Sequence, residues 1–274
     1  MIYVDSDNAL GSRSGDIDDA WALAALLGSG RPVSAIGSVF GNTTGTEAHR
    51  NNQALARLCR FSGLCVAGAN RAGEQSEASR LLAAGPNLAH AIALGPLTNF
   101  AAALRENPGA LDRVGELVCL GANRASQGRW PPYWPFEFNL THDRQATIDV
   151  FASPVPITVI PLDQARRLRL GASDLDSLHG EVGSHLREGS LRWLRRAKWL
   201  KLSSTVPIWD LVATAWVIDP SLFEYREMPV RVHSNAWIQF EAGDRRIKVV
   251  TGFDPASVWS KWKAIAEGLG HTRD

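Results

Sequence analysis

"VDSDNALGSRSGDIDDAWAL", residues 4–23, decides the fold class, because within it the chain changes from one hydrophobic period to another. It leaves an apolar, β-branched run, "MIYVD", that reads as a buried strand. It enters a stretch from about Ile17 to Leu27 that reads as a helix, stopped by "GSGRP". Between the two the chain crowds Asp5, Asp7, Asp16, Asp18 and Asp19. At an effective dielectric of about 20, two carboxylates about 4 Å apart repel by roughly 4 kcal/mol. Such a cluster needs a cation, shared protons or water all around it. Asp18 and Asp19 fall in the first turn of the predicted helix, where its dipole and free amides favour negative charge. Capping and a solvated loop therefore account for Asp16 or Asp18, but not for the strand-end pair. Carboxylates with no paired His or Cys favour a hard ion such as Ca²⁺ or Mg²⁺ over zinc.

Strand-like and helix-like stretches continue to alternate. "VSAIGSVFG", "LCVAGA", "AHAIALG", "ELVCLGA" and "PITVIPL" read as strands. "TEAHRNNQALARLCRFSG", with Gly63 as its stop, "LTNFAAALREN" and "DRQATIDVFA" read as helices. This alternation predicts an α/β fold in one domain over 1–274, with a mainly parallel central sheet flanked by helices on both faces. Near the end "MPVRVHS", "AWIQFEAG" and "RRIKVVTG" alternate apolar and polar residues, and the last two, joined across "EAGD", read as an antiparallel hairpin. "ASVWSKWKAIAEGLG" reads as a closing amphipathic helix. In such sheets ligands bind beyond the carboxyl ends of the strands. The aspartates, "GNTT", "GPLTN" and "GANRASQG" all occupy such ends.

With 274 residues, 45% hydrophobic and 21% charged, the chain can bury a substantial core. Its 29 basic against 28 acidic side chains argue against a general nucleic-acid or membrane-surface binder. No apolar run approaches the roughly 20 residues of a membrane-spanning helix. Cys59, Cys65 and Cys119, odd in number and without a CxxC pair, read as reduced thiols. With a first strand beginning at Ile2 there is no room for a signal peptide, so a cytoplasmic location is expected and the N-x-T asparagines Asn42 and Asn139 are free for other work.

The same motifs, taken together, resemble the nucleoside hydrolases, the family of the inosine–uridine-preferring enzymes. The family's opening strand runs into D-x-D … D-D, matched by Asp5, Asp7, Asp18 and Asp19, with "NALGSRSGDI" inserted where a short turn is usual. The likeness continues through "GNTT", "ALGPLTNFAAAL", "ELVCLGA" (M-G-G in the family), "EFNLTHDRQAT", "VPITVIPLD" and "PIWDLVATAWVIDP", and closes at "RIKVVTGFDPASVW". What it implies is a Ca²⁺ held by Asp7, Asp19, Asp210 and the backbone carbonyl of Leu94, with water and two ribose hydroxyls completing the shell. It implies Asp18 as the base that activates water, and Asn42, Glu137 and Asn139 as holders of the ribose hydroxyls. The implied reaction is hydrolysis of an N-glycosidic bond to free base and ribose. The implied assembly is a homodimer or homotetramer, and the implied partner a small nucleoside.

Pyrimidine-accepting members commonly carry a histidine before the late aspartate. Here that position is Trp209, and none of the 7 histidines lies in a matching motif. Trp there resembles the purine-specific branch, which implies stacking on a purine; base–aromatic stacking contributes about 1–3 kcal/mol per base. A core aromatic is the plainer reading of Trp209. The run "REGSLRWLRRAKWLKL", 187–202, reads as an amphipathic helix with a solvated basic face, or as a segment that closes over substrate. "ASQGRWPPYWPFEFN" reads as a Pro/Trp loop or an aromatic lid, in which Arg129 faces an altered 5′ substituent. Two other functions fit parts of the pattern. A non-catalytic Ca²⁺-dependent pentose or nucleoside binder would have no need of Asp18. A haloacid dehalogenase-type phosphatase would read "VDSDNA" as D-x-D-x-T, with Ala9 where Thr or Val is required.

Overall fold

The structure, a computed structural model, describes residues 1–12, 15–124, 137–199 and 204–270. The strands are β1 (Ile2–Ser6), β2 (Val33–Ser38), β3 (Leu64–Val66), β4 (His90–Ala93), β5 (Leu117–Leu120), β6 (Ile157–Ile160), β7 (Arg169–Leu170), β8 (Val206–Pro207), β9 (Phe223–Val232), β10 (Ile238–Phe240) and β11 (Arg245–Phe253). The helices are α1 (Asp18–Gly28), α2 (Gly45–Leu58), α3 (Glu77–Ala83), α4 (Thr98–Glu106), α5 (Asn139–His142), α6 (Arg144–Ala152), α7 (Leu162–Ala165), α8 (Gly180–Trp199), α9 (Trp209–Ile218) and α10 (Pro255–Gly270).

The main sheet has the order β10-β9-β11-β6-β5-β4-β1-β2-β3. From β3 across to β11 the neighbours run parallel. Strand alternation feeds two cores. Val4, Ile36, Ile92, Val118 and Ile160 point to one face, under α1, α8, α9 and α10. Tyr3, Ala35, Ala91, Leu117 and Val159 point to the other, under α3, α4 and α6. This is the α/β arrangement the alternation predicts.

The C-terminal antiparallel hairpin is present, but its partners differ from those read in the sequence. β10 pairs with β9, and β11 pairs with the other side of β9 instead of with β10. The short connection across 241–244 therefore carries the chain over β9, and β11 is free to join β6 in parallel. The second helix also ends early: α2 stops at Leu58, and Arg60 takes the left-handed conformation (φ 52°) that Gly63 was expected to supply. No helix among the described residues is long and apolar enough to cross a membrane.

Chain connection reverses direction between β1 and β4, so a crevice opens beyond their carboxyl ends. That crevice is where the aspartates are found.

Candidate functional site

β1 carries Asp5 and, just past its end, Asp7; the first turn of α1 carries Asp18 and Asp19; the first turn of α9 carries Asp210. All are buried, with exposure of 4% at most.

Asp5 faces away from the others. The Tyr3 hydroxyl donates to its Oδ1, and Asn99 Nδ2 donates to its Oδ2 at 2.8 Å. Asn99 Nδ2 also donates to the Ser38 carbonyl at 2.8 Å, while its Oδ1 accepts from Ala69 N at 3.1 Å and Ser76 Oγ at 2.7 Å. The asparagine of "GPLTN" thus pins β1, β2 and the segment after β3 together. Sequence reading missed this role, and the buried polar position in an otherwise apolar helix was its only signal.

Asp7 lies in a glycine cradle. Its Oδ2 accepts the Asn42 amide at 2.6 Å. A Cβ at Gly41 would stand 2.0 Å from that same oxygen, and one at Gly95 3.1 Å from Oδ1. The glycines of "GNTT" and "GPLTN" are therefore the space into which Asp7 fits. Gly41→Ala is expected to displace Asp7 and weaken divalent-cation binding by about 10–100-fold. Titration calorimetry with Ca²⁺ checks this; unchanged affinity would remove Asp7 from the site.

Asp19 Oδ1 accepts from Ser6 Oγ at 2.7 Å. Asp18 accepts the backbone amides of Trp209 and Asp210, at the N-terminus of α9. Asp16, which sequence reading left without a role, turns back toward Asp18, and carboxylate oxygens of Asp16, Asp18 and Asp19 lie within 4.8 Å of one another. Buried without any hydrogen-bond partner are Asp7 Oδ1, Asp16 Oδ1, Asp18 Oδ1 and Asp19 Oδ2. No ion pair among the described residues reaches these carboxylates.

The electrostatic consequence is an upward shift throughout. Burial raises Asp7 to about 7, with Asp18 adding repulsion. Burial, then Asp7 and Asp18, raises Asp19 well above the ordinary carboxylate range. Asp210 is raised by burial and then by Asp18, Asp19, Asp7 and Asp16. Asp18 is raised by burial, against the lowering effect first of a hydrogen bond from Asp16 and then of the α9 amides. A set of ionised carboxylates is untenable here without a counter-charge. Buried carboxylate oxygens without partners, those of Asp16, Asp18 and Asp19 close together and with no nitrogen or sulfur donor among them, suit a hard divalent cation.

The remaining predicted residues surround this cluster. Glu137 accepts the amide of Leu140 at 3.0 Å and that of Ala122, and its Oε2 is buried without a partner. Ala122 supplies its amide from a left-handed conformation (φ 62°), where the M-G-G pattern has glycine. Burial raises Glu137 to about 7. Asn139 Nδ2 donates to the carbonyls of Leu94, at 2.6 Å, and Leu120, at 3.2 Å. The Leu94 carbonyl is thus engaged by a side chain, and the carboxylates carry the case for a metal. Asn42 is exposed at the rim. Trp209 is partly buried, its ring packed against the core.

A cleft of about 350 Å³ adjoins Asp16, with the inserted turn (Leu10, Ser12) on one wall and Arg192, Trp193 and Arg196 of α8 on the other. α8 is amphipathic as expected, burying Leu186, Ser190 and Leu194 and exposing Arg195 and Lys198. Arg129 and the rest of the loop 125–136, and the end of the basic run at 200–202, lie outside the described residues. One connection invisible in sequence is Glu47, which accepts Ser12 Oγ of the inserted turn at 2.7 Å and Thr43 Oγ1, next to Asn42, at 2.6 Å.

Residues 2–260 match the sequence profile described as inosine-uridine preferring nucleoside hydrolase. A non-specific ribonucleoside hydrolase of Klebsiella pneumoniae is 32% identical over 152 residues, 52% of this chain and 45% of that protein. A pyrimidine-specific ribonucleoside hydrolase of Photobacterium profundum is 28% identical over 153 residues, covering 54% and 45%. The chain thus spans about half the length of the curated relatives it matches. Among solved structures, a purine-preferring ribonucleoside hydrolase from Gardnerella vaginalis superposes over 98% of both chains with a TM-score of 0.80 at 19% identity. That likeness establishes the shared fold.

Proposed function

Because this chain belongs to the inosine-uridine preferring nucleoside hydrolase family, we propose that it hydrolyses the N-glycosidic bond of ribonucleosides, with Ca²⁺ bound among its aspartates and a preference for purines. The observation that carries the reading is the set of buried carboxylate oxygens on Asp7, Asp18 and Asp19 that no protein group satisfies, at the β1/β4 crevice. Asp7, Asp19 and Asp210 hold the cation, which when bound neutralises the cluster and makes nearby water more acidic.

Asp18 takes the proton of the attacking water. Its Oδ1 is free, and the amides of Trp209 and Asp210 favour its ionised form. Water adds its oxygen to the anomeric carbon as the bond to the base nitrogen breaks, and the base leaves with a proton. The sugar passes through an oxocarbenium-like state, which the surrounding carboxylates favour electrostatically. Glu137, through its free Oε2, with Asn42 and Asn139 holds the ribose hydroxyls.

Preference for purines rests on Trp209 standing where pyrimidine-accepting members have histidine. A stacked indole aids departure of a base that can be protonated on its imidazole ring, and uracil has no equivalent nitrogen.

A reducing-sugar assay on inosine, adenosine, guanosine, uridine and cytidine, with and without chelator, tests the reading. Ribose release from purines that stops on chelation and returns with Ca²⁺ is the expected result. Uridine turning over as fast as inosine would overturn the role of Trp209. Silence on all of them, with Ca²⁺ demonstrably bound, would overturn the preference for standard purine nucleosides and point to a modified substrate or a binding role.

A further inference from the structure

The described residues of the inserted turn, 8–12 and 15–17, are built into the protein. Asn8, Ala9 and Leu10 are buried. Asn8 Oδ1 accepts the Leu10 amide at 3.0 Å, and Asn51 Nδ2 donates to the Asn8 carbonyl at 2.8 Å. Leu10 packs so closely on α8 that a Cβ at Gly189 would stand 2.0 Å from its Cδ1, and Glu47 fastens Ser12. On the returning limb, a Cβ at Gly15 would stand 2.2 Å from the Ala9 carbonyl oxygen, so the two limbs touch there. The next residue is Asp16.

That carboxylate has three plainer uses open to it and takes none. α1 begins with Ile17 as its capping residue and has no side-chain cap. Arg192 and Arg196 line the same cleft, yet Arg192 pairs with Glu188 at 2.5 Å and Arg196 stacks over Trp193, 5.6 Å from the ring centre. Nor does Asp16 turn its Oδ1 to water, since that atom is shut away from solvent without a partner. It is directed instead at Asp18, to which it is hydrogen-bonded, and at Asp19, within 4.8 Å of an oxygen on each. Independent of Asp16, the residues Asp7, Asp18 and Asp19, 4% exposed or less, each keep a buried oxygen without a partner.

We propose that Asp16 is an additional carboxylate ligand for the divalent cation, delivered by the limb of the inserted turn that leads into α1. The proposal rests on the reading of the aspartate cluster as a cation site. It gives the insertion a function: the turn adds a hard oxygen donor and one more negative charge, both of which strengthen Ca²⁺ binding.

Direct Ca²⁺ titration by calorimetry on the metal-free full chain tests it, with Asp16→Asn as the near-isosteric variant and Asp16→Ala as a second. Both are expected to bind Ca²⁺ at least 10-fold more weakly than the wild type. Both are expected to melt cooperatively without metal, which separates weakened binding from loss of the fold. Tb³⁺ luminescence, excited through nearby tryptophans, gives a second binding readout in which the same weakening is expected. Ca²⁺ affinity within twofold of wild type in both variants would overturn the proposal while leaving the cation site standing. A wild-type chain that binds no divalent cation would overturn the proposal and the cation site together.

Discussion

Asp18→Asn is expected to lower kcat on a purine nucleoside by about 10²–10⁴, the usual contribution of a positioned general base. Amide and carboxylate have the same shape, so the α9 amides keep an oxygen to donate to, and the fold has no reason to change. What is lost is the proton acceptor for water. Binding of the sugar ring depends on Glu137, Asn42 and Asn139, so the inhibition constant of ribose should stay within about tenfold. The measurement is kcat beside that constant, with Ca²⁺ saturating in both proteins. Unchanged turnover in Asp18→Asn would remove Asp18 from the chemistry. It would pass the role to another carboxylate of the cluster with an unpartnered oxygen, of which Asp7 is one.

Removing the cation is the second large effect, and its sign depends on pH. Asp7 ordinarily titrates at 3.8 but in the fold at about 7, Asp5 likewise, and Glu137 moves from 4.5 to about 7, each chiefly through burial. Between those limits the metal-free folded protein holds protons that the unfolded chain has released. Its stability therefore falls as pH rises from the ordinary carboxylate range through about 7. Ca²⁺ requires the ionised form, so at fixed Ca²⁺ its stabilisation grows over the same interval. At 100 times Kd a ligand adds about 2.7 kcal/mol. For a chain of this size that amounts to a rise in Tm of roughly 5–10 °C. Melting curves with Ca²⁺ and with chelator, at about pH 5 and about pH 8, check both statements. A metal-free protein more stable at the higher pH would show that these carboxylates are not buried as described.

The strand–turn–helix at the start was legible because its period changes sharply, and the parallel sheet because apolar runs alternate with amphipathic ones. The carboxylates at strand ends and helix starts were legible for the same reason, since the topology fixes where those ends lie. What was not legible depends on contacts remote in sequence. The pairing of β10 with β9 and not with β11 is decided by β11 joining β6, whose sequence lies far upstream. Asp5 and Asp7 are alike in a D-x-D motif, yet Tyr3 and Asn99 claim the first, while the absence of side chains at Gly41 and Gly95 frees the second. Asp16 reads as a loop residue until the inserted turn is seen packed against α8.

Glu47 ties the inserted turn to the loop that holds Asn42. The inserted turn hangs from one of its carboxylate oxygens through Ser12, and the loop holding Asn42 hangs from the other through Thr43. These hydroxyl donors hold its carboxyl below the ordinary range, so the tie persists into mildly acid solution. An outward swing of the turn must break its bond to Glu47 or drag the asparagine rim along with it. A single change at Glu47 therefore acts on the turn and on the asparagine loop together.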